Sequence, residues 1–573
     1  MALVGSGGDG VMATASMILR TAAKRGLYGL MTQSYGPQIR GGESAAHVTL
    51  GLKPVTTVDV NKDMIVCFRF GDLPPFQKEL RAAPHAAVFC GEEKEALPEI
   101  LRNEKGILLQ IPFGEMLEKN SLPEIAKNVL VFGILLKALG WDLSEGEECV
   151  REVFNKKSSE VIASNLKAME AGYHHFKTLA LPFETPSPDR RTSRWVLTGN
   201  EACARAAIHA GCRFYAGYPI TPSSEILEAM NRLLPQSKGK VVQAEDEMAA
   251  LGMVIGASYG GTPSMTATSG PGFSLMTELL GLSSMAEIPL VVIDCQRAGP
   301  ATGLPSRTEQ GDLWHAIYGG HGDFPRVVLA PANVSGCYQT LFRAFRCAEM
   351  YQLPVIVLSD AMIAQCSEIF DPIDTSSFPS HRRWTASPSD GEFRRFDLNQ
   401  AFLEGRFGVT ESPPPGTPGA IHCIAGIEHT EKGTPSADGG HHEKMNRKRF
   451  LKLEGIAEES AGWYRCCGDP KAEHAIITWG STAGAVLRWM EHHPEAALFV
   501  PEILNPFPQE ALRNFLKGRK KISVVELNYQ GQLHHHLRAL GLLPDSAKSM
   551  RRSGGIPLQV SELEMFFQQG GLL

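Results

Sequence analysis

The chain has 573 residues, 43% of them hydrophobic and 21% charged, with a formal net charge of −6 at pH 7. It is too long for one hydrophobic core and reads as about three domains of an ordinary globular α/β protein. The acidic balance argues against a nucleic-acid or anionic-membrane partner, and no apolar run approaches the ~18 residues needed to span a bilayer.

The opening MALVGSGGDG has no basic segment and leads straight into a strand and a glycine turn, so no secretory leader is expected and a cytoplasmic setting is. The 12 cysteines contain no CxxC pair, only the adjacent Cys466 and Cys467. Such usage suits buried thiols in a reducing compartment and offers no thiolate set for an iron–sulfur cluster.

Residues 1–182 are expected to form one Rossmann-like unit. A strand at 2–4, the turn Gly5-Ser6-Gly7-Gly8-Asp9-Gly10 and a helix at 11–25 make an anion cradle of the dinucleotide type, with Gly7 and Gly8 presenting backbone N–H groups. Tight packing alone explains the same turn. The run Ser34 to Ser44 is too rich in glycine and proline for regular structure, and its Arg40 is either a bidentate phosphate donor or a solvated side chain. Strands at 63–68, 86–89 and 106–111 and a helix at 127–139 complete the unit. Residues 183–194 are polar and proline-bearing and read as a linker.

Residues 195–373 alternate apolar strands with helices, which implies a parallel sheet covered on both faces with ligands at its carboxyl edge. Strands are predicted at 213–216, 240–244, 263–267, 289–295, 326–329 and 354–358. After the first comes Tyr218-Pro219-Ile220-Thr221-Pro222-Ser223-Ser224, with Thr221 predicted to cap the following helix and Pro222 to occupy its first position. Gln243 to Glu247 sets three carboxylates at a helix start, where they can simply complement the macrodipole. Thr268-Ser269-Gly270-Pro271-Gly272 turns from strand into helix. Arg297 opens the loop after 290–294, placed either to hold a carboxylate ligand or to pair structurally with a nearby acid; Arg307 and His315 are weaker candidates.

Residues 374–468 lack periodicity and read as an extended arm or insertion. Their His422, Cys423, His429, His441 and His442 fit no zinc spacing, so no metal is expected there. Alternation returns in 469–573, with strands at 475–479, 497–501 and 521–527 and helices at 483–492 and 532–540.

The literal strings add a resemblance. YPITPSS at 218–224 is similar to the motif of the 2-oxoacid:ferredoxin oxidoreductases, and the glycine turn with Tyr35-Gly36-Pro37 through Gly42 resembles that family's γ domain. TSGPG, the arginine loop, Gly426-Ile427-Glu428-His429 and Val525-Glu526-Leu527-Asn528-Tyr529 resemble segments of its α subunit. The resemblance implies a γ domain fused ahead of a pyrimidine-binding domain and a C-terminal transketolase-like domain. It further implies thiamine diphosphate beside Tyr218, Pro219, Ile220, Ser269 and Gly270, with Glu247 (Glu245 the rival) bonding the pyrimidine N1′. Thr221 would contact substrate, Arg297 would hold the 2-oxoacid carboxylate, and Gly7, Gly8 and Arg40 would serve coenzyme A.

The implied reaction turns a 2-oxoacid, best read as 2-oxoglutarate, plus coenzyme A and oxidised ferredoxin into acyl-CoA, carbon dioxide and reduced ferredoxin, reversibly. Pyruvate, branched-chain or indolepyruvate substrates are the alternatives, and a non-catalytic nucleotide- or CoA-binding scaffold is the alternative of another class. Gly8-Asp9-Gly10 is the only GDG, and no Asn follows it within 27–42. The diphosphate half-site with Mg2+, and the iron–sulfur cluster, are therefore expected on a partner β subunit in an (αβ)2 assembly.

Overall fold

The computed structural model describes residues 1–36, 42–92, 96–188, 192–378, 383–385 and 392–568. The chain divides into two compact units, Met1–Leu197 with Cys366–Ile373, and Thr198–Gln365 with Asp374–Leu573.

The first unit is built on an eight-stranded sheet. Its strands follow the order Ile107–Ile111, Arg81–Gly91, Asn61–Cys67, Ala2–Ser6, Glu43–Gly51, Tyr28–Tyr35, Ser367–Phe370 and Trp195–Thr198. The first four run parallel, as alternating strands and helices dictate, while the Tyr28–Tyr35/Glu43–Gly51 hairpin and Ser367–Phe370 join antiparallel. The hairpin was not foreseen, and it stands where the sequence suggested irregular chain on either side of 37–41. Trp195–Thr198 and Ser367–Phe370, which lie within the range 195–373 expected as the second domain, form strands of this sheet. Lys127–Ala138 is buried along nearly its whole length, as a helix apolar on every side must be, and packs beside Val11–Arg25 and Ser159–His175.

In the second unit a seven-stranded sheet has the order Ile503–Asn505, Val327–Leu329, Pro354–Asp360, Leu290–Gln296, Ser264–Thr268, Phe214–Gly217, Lys240–Gln243. All neighbours are parallel except the edge strand Ile503–Asn505. Strands such as Leu290–Gln296 are buried throughout, the signature of a sheet covered on both faces. A five-stranded sheet orders Tyr464–Gly468, Ala496–Pro501, His474–Thr478, Lys521–Glu526 and Lys548–Arg551. The two sheets share one apolar core, in which Val292 and Leu358 lie in the same cluster as Ile477, Phe499 and Val524.

The segment expected to be an extended arm contains a 21-residue helix, Gly439–Glu459. Its buried face is charged, which is why no apolar stripe announced it. Lys448 and Lys452 reach the Glu287 carboxylate at 2.5 and 2.6 Å, all three fully enclosed, and Arg395 donates to the Glu287 carbonyl at 3.0 Å. The histidines of the segment are spent locally. His441 Nε2 meets the His429 carbonyl, and Glu428 takes His442 and Arg449.

Candidate active site

The strand order brings four sequence-singled loops to one edge. Those after Leu290–Gln296, Ser264–Thr268, Phe214–Gly217 and Lys240–Gln243 are neighbours because their strands are, and all leave at the carboxyl ends. That edge is where a parallel sheet binds ligands.

Thr221 does not cap the next helix. The helix is Ser224–Leu233, its flanking residue is Ser223, and the Thr221–Pro222 peptide is cis. Ser223 Oγ and the N–H groups of Ser223 and Ser224 all donate to the Ile220 carbonyl, closing a tight turn. Thr221, Tyr218 and Pro219 are thereby left exposed, with Ile220 half-buried. A capping threonine would have its hydroxyl tied to the backbone; this one is free to face a ligand.

Of the three acids at 245–247, Glu245 is exposed, Asp246 accepts the Ala249 N–H at 2.7 Å as the helix cap, and Glu247 is 5% exposed. Glu247 tucks beneath the Thr268-to-Gly272 turn. A Cβ built on Gly272 would stand 2.2 Å from its Oε1 and 2.2 Å from Thr268 Oγ1, so glycine is required for this approach. The same turn presents Ser269 Oγ, enclosed and without a partner. Along the helix from Glu247, Gly252 and Gly256 have open space where a side chain would be. A buried carboxyl, an orphan hydroxyl and uncovered glycines suit an aminopyrimidine ring, so these residues fit the thiamine cofactor.

Arg297 is 8% exposed, and its Nη1 donates to the Thr221 carbonyl at 2.7 Å while Nε has no partner. One bond thus joins the two motifs that sequence reasoning had treated separately. The loop behind it is clamped by the C-terminal sheet. Gln310 donates to the Trp479 carbonyl at 2.8 Å and accepts the Leu527 N–H at 2.9 Å, and Gln532 accepts the Trp314 N–H at 3.0 Å. Asp360 receives the Ser481 N–H at 3.0 Å. The C-terminal sheet, for which the sequence offered no role, therefore fixes the arginine loop.

Two acids beside Arg297 escaped the sequence reading. Asp294 sits inside the apolar strand LVVIDCQ, completely buried, and Asp312 lies at the far end of the arginine loop. A charge within a fully apolar strand was the readable signal, since such residues are almost never buried without a purpose. The Arg307 carbonyl accepts the Ala298 N–H at 2.9 Å, and His315 packs edge-on against Phe273. The Arg307 Cβ lies against Gly555, and His315 Nε2 meets Thr277 Oγ1 at 3.2 Å.

In the first unit the glycine turn is tied down at Gly7 and Asp9 and open at Gly8. Asp9 takes the Ser6 N–H at 2.8 Å, Lys127 at 3.0 Å and Arg69 at 3.2 Å, while the Gly7 N–H goes to the Gly42 carbonyl at 3.0 Å. Gly8, at φ +103°, faces open space. Arg40 lies outside the described residues.

Known proteins resemble this chain along most of its length. Residues 1–175 match the family model described as "Pyruvate ferredoxin/flavodoxin oxidoreductase", and residues 205–447 match "Pyruvate flavodoxin/ferredoxin oxidoreductase, thiamine diP-bdg". The 2-oxoglutarate synthase subunit KorA of Methanothermobacter marburgensis is 38% identical over 373 residues, 64% of this chain and 96% of the relative. The 2-oxoacid:ferredoxin oxidoreductase subunit alpha of a Sulfolobus species is 30% identical across 98% of this chain and 95% of its own length. Among solved structures, the 2-oxoglutarate:ferredoxin oxidoreductase from Magnetococcus marinus, with 2-oxoglutarate, coenzyme A and succinyl-CoA bound, matches at a TM-score of 0.90 and 32% identity, covering 99% of this chain and 98% of that one. The chain belongs to the 2-oxoacid:ferredoxin oxidoreductase family as an alpha-type subunit.

Proposed function

We propose that this chain is the γ-fused α subunit of a CoA-acylating oxidoreductase whose substrate is 2-oxoglutarate. The reaction converts 2-oxoglutarate, coenzyme A and oxidised ferredoxin into succinyl-CoA, carbon dioxide and reduced ferredoxin, reversibly. The electron pair left when the carboxylate departs as carbon dioxide goes singly to ferredoxin, and the thiol proton is released.

The observation that carries this reading is the 2.7 Å bond from Arg297 to the Thr221 carbonyl. It fixes a guanidinium at the ligand edge while leaving donors of its fork for a 2-oxoacid carboxylate. The exposed Thr221 hydroxyl is then within the same turn to bond the keto oxygen or the departing carbon dioxide. Glu247, beneath Gly272, would hold the proton at pyrimidine N1′ of the cofactor. When bound, thiamine diphosphate supplies the electron sink that makes loss of carbon dioxide feasible. Tyr218, Pro219, Ile220, Ser269 and Gly270 would line its pyrimidine side.

The diphosphate half-site, its Mg2+ and the iron–sulfur cluster are assigned to a β subunit in an (αβ)2 assembly. Asp9 of the only GDG is already neutralised by Lys127 and Arg69 and so is a poor magnesium ligand. Among the described residues no three His, Cys, Asp or Glu side chains gather to hold a metal. Tyr218, Met248, Met253 and Leu275, 40 to 49% exposed, give the site an apolar rim suited to a protein partner. Coenzyme A is assigned to the first unit, at the open Gly8 beside the tethered Gly7, on their resemblance to the γ domain. The domain reading is a γ domain, a linker, a pyrimidine-binding domain, an arm and a transketolase-like domain, in a cytoplasmic enzyme; among the described residues no helix is long and apolar enough to cross a membrane.

Pyruvate is the second reading, favoured by the descriptions of both family models. A panel of 2-oxoacids assayed by viologen reduction on the native complex decides between them. The highest kcat/KM should belong to 2-oxoglutarate; preference for pyruvate would replace the substrate, and no activity with any 2-oxoacid would leave the scaffold reading.

A further inference from the structure

Beneath Arg297 lie three enclosed carboxylate oxygens with no hydrogen-bond donor, Asp294 Oδ1 and Oδ2 and Asp312 Oδ2. The two side chains are within hydrogen-bonding reach of each other, and both act electrostatically on Arg297. Neither can move away. Asp294 lies mid-sheet, in register with Thr268 on one side and Leu358 on the other. The Asp312 N–H is bonded to Gln296 Oε1 at 3.1 Å, and Gln296 in turn donates to the Ser359 carbonyl at 3.0 Å. The Asp312 carboxyl also rests on Gly270, where an added Cβ would come within 2.8 Å of Oδ2.

Two ionised carboxylates in this position would bury a second negative charge against one guanidinium, with no donor to offset it. A single proton between them makes an O–H···O⁻ bond, engages two of the three orphan oxygens and leaves one negative charge facing one positive charge.

We propose that Asp294 and Asp312 share one proton and together act as a positioning pair for Arg297. The charge that remains holds the guanidinium at the ligand edge, and the charge that is neutralised keeps the pocket from repelling an incoming carboxylate. This inference rests on the reading of Arg297 as the anchor of the 2-oxoacid.

The electrostatics agree with the geometry. Burial first, then the charge and hydrogen bond of Asp312, push the Asp294 carboxyl well above the usual carboxylate range, against the pull of Arg297. Burial pushes Asp312 up to about 6, opposed by the hydrogen bond to Asp294 and the charge of Arg297, with Glu309 adding a small upward effect. Cys295, next in the strand, is pushed well above the thiol range by burial and contributes no charge. Arg297, Glu309 and Cys295 are the other titratable groups that bear on the pair among the described residues.

The sign follows. As pH rises and the shared proton is lost, the pocket gains a negative charge, so KM for 2-oxoglutarate should climb on the alkaline side while kcat changes much less. The limiting slope is about tenfold per pH unit. In the native complex, Asp294→Asn and Asp312→Asn should each abolish that climb, because an amide has no proton to lose there. Infrared difference spectra of the wild-type complex should show a protonated-carboxyl band that fades over the pH range in which KM rises.

The same alkaline climb in both variants would overturn the proposal. So would the absence of the band in the wild type, a result that holds even if neither variant assembles. Wild-type KM in Arg297→Lys with the band present would instead fell the substrate reading, and with it the positioning role, while leaving the shared proton in place.

Discussion

Replacing Gly272 with alanine should disable the site without removing a reactive group. The new Cβ would lie 2.2 Å from Glu247 Oε1 and 2.6 Å from its Cδ, with Thr268 Oγ1 also at 2.2 Å. Non-bonded heavy atoms rest at about 3.5 Å, so the Glu247 carboxyl must retreat by roughly 1 Å. Overpacking of that kind costs about 1–3 kcal/mol of stability. A displacement of that size at a catalytic group costs about 10²-fold in turnover. Viologen-coupled turnover and thermal unfolding of the native complex measure both effects. Gly281→Ala, whose Cβ would meet nothing nearer than 3.7 Å, is the control and should keep its activity. Wild-type turnover in Gly272→Ala would refute the placement of Glu247 against the cofactor. A loss matched by the folded fraction would make the contact purely structural.

Glu247→Gln should fold normally and lose about 10²- to 10⁴-fold in turnover, whereas the exposed Glu245→Gln should not; the same viologen assay separates them. Arg297→Lys keeps the charge but loses the fork bonded to Thr221, so KM should rise further than the melting temperature falls; equal losses would mark a structural arginine. Glu287→Gln leaves buried cations uncompensated and should cost about 3–5 kcal/mol, read by denaturant unfolding. Burial would raise the Glu287 carboxyl, but Lys448, Lys452 and Arg395 outweigh it and hold it far below the usual range. Its contribution is therefore present above the ordinary carboxylate pKa and lost as pH falls below it, so the variant should show a flatter acid limb of stability against pH. The isolated chain should be colourless and bind thiamine diphosphate weakly in a calorimetric titration; tight Mg2+-dependent binding would contradict the assignment of the diphosphate half to a partner.

The parallel sheet of the second unit was legible because each strand is a short apolar run ending in a polar or glycine turn, from Phe214–Gly217 to Pro354–Asp360. The site loops were legible for the same reason. What local sequence could not carry was long-range pairing. Ser367–Phe370 aligns with Tyr28–Tyr35, more than 300 residues away in the chain, and nothing near either strand announces the other. The Gly439–Glu459 helix was hidden because Lys448, Arg449 and Lys452 occupy its buried face, which breaks the apolar period. Thr221 followed the usual capping grammar but a tight turn on the Ile220 carbonyl took its place, which left the hydroxyl exposed. The helix expected after the Thr268-to-Gly272 turn divides at Met276 into Gly270–Leu275 and Thr277–Met285. Asp294 and Asp312 are 18 positions apart, and the loop between them is tied back both to Gln296 of the strand and to the C-terminal sheet.

The most direct measurement is product analysis of the native complex supplied with 2-oxoglutarate, coenzyme A and oxidised ferredoxin. Succinyl-CoA and carbon dioxide should appear in equal amounts, with the released electron pair recovered on ferredoxin, and all three should collapse together in Glu247→Gln. Unconsumed 2-oxoglutarate beside an active complex, or undiminished succinyl-CoA from the Glu247→Gln complex, would contradict the assignment of this chemistry to the edge where Thr221, Glu247 and Arg297 meet.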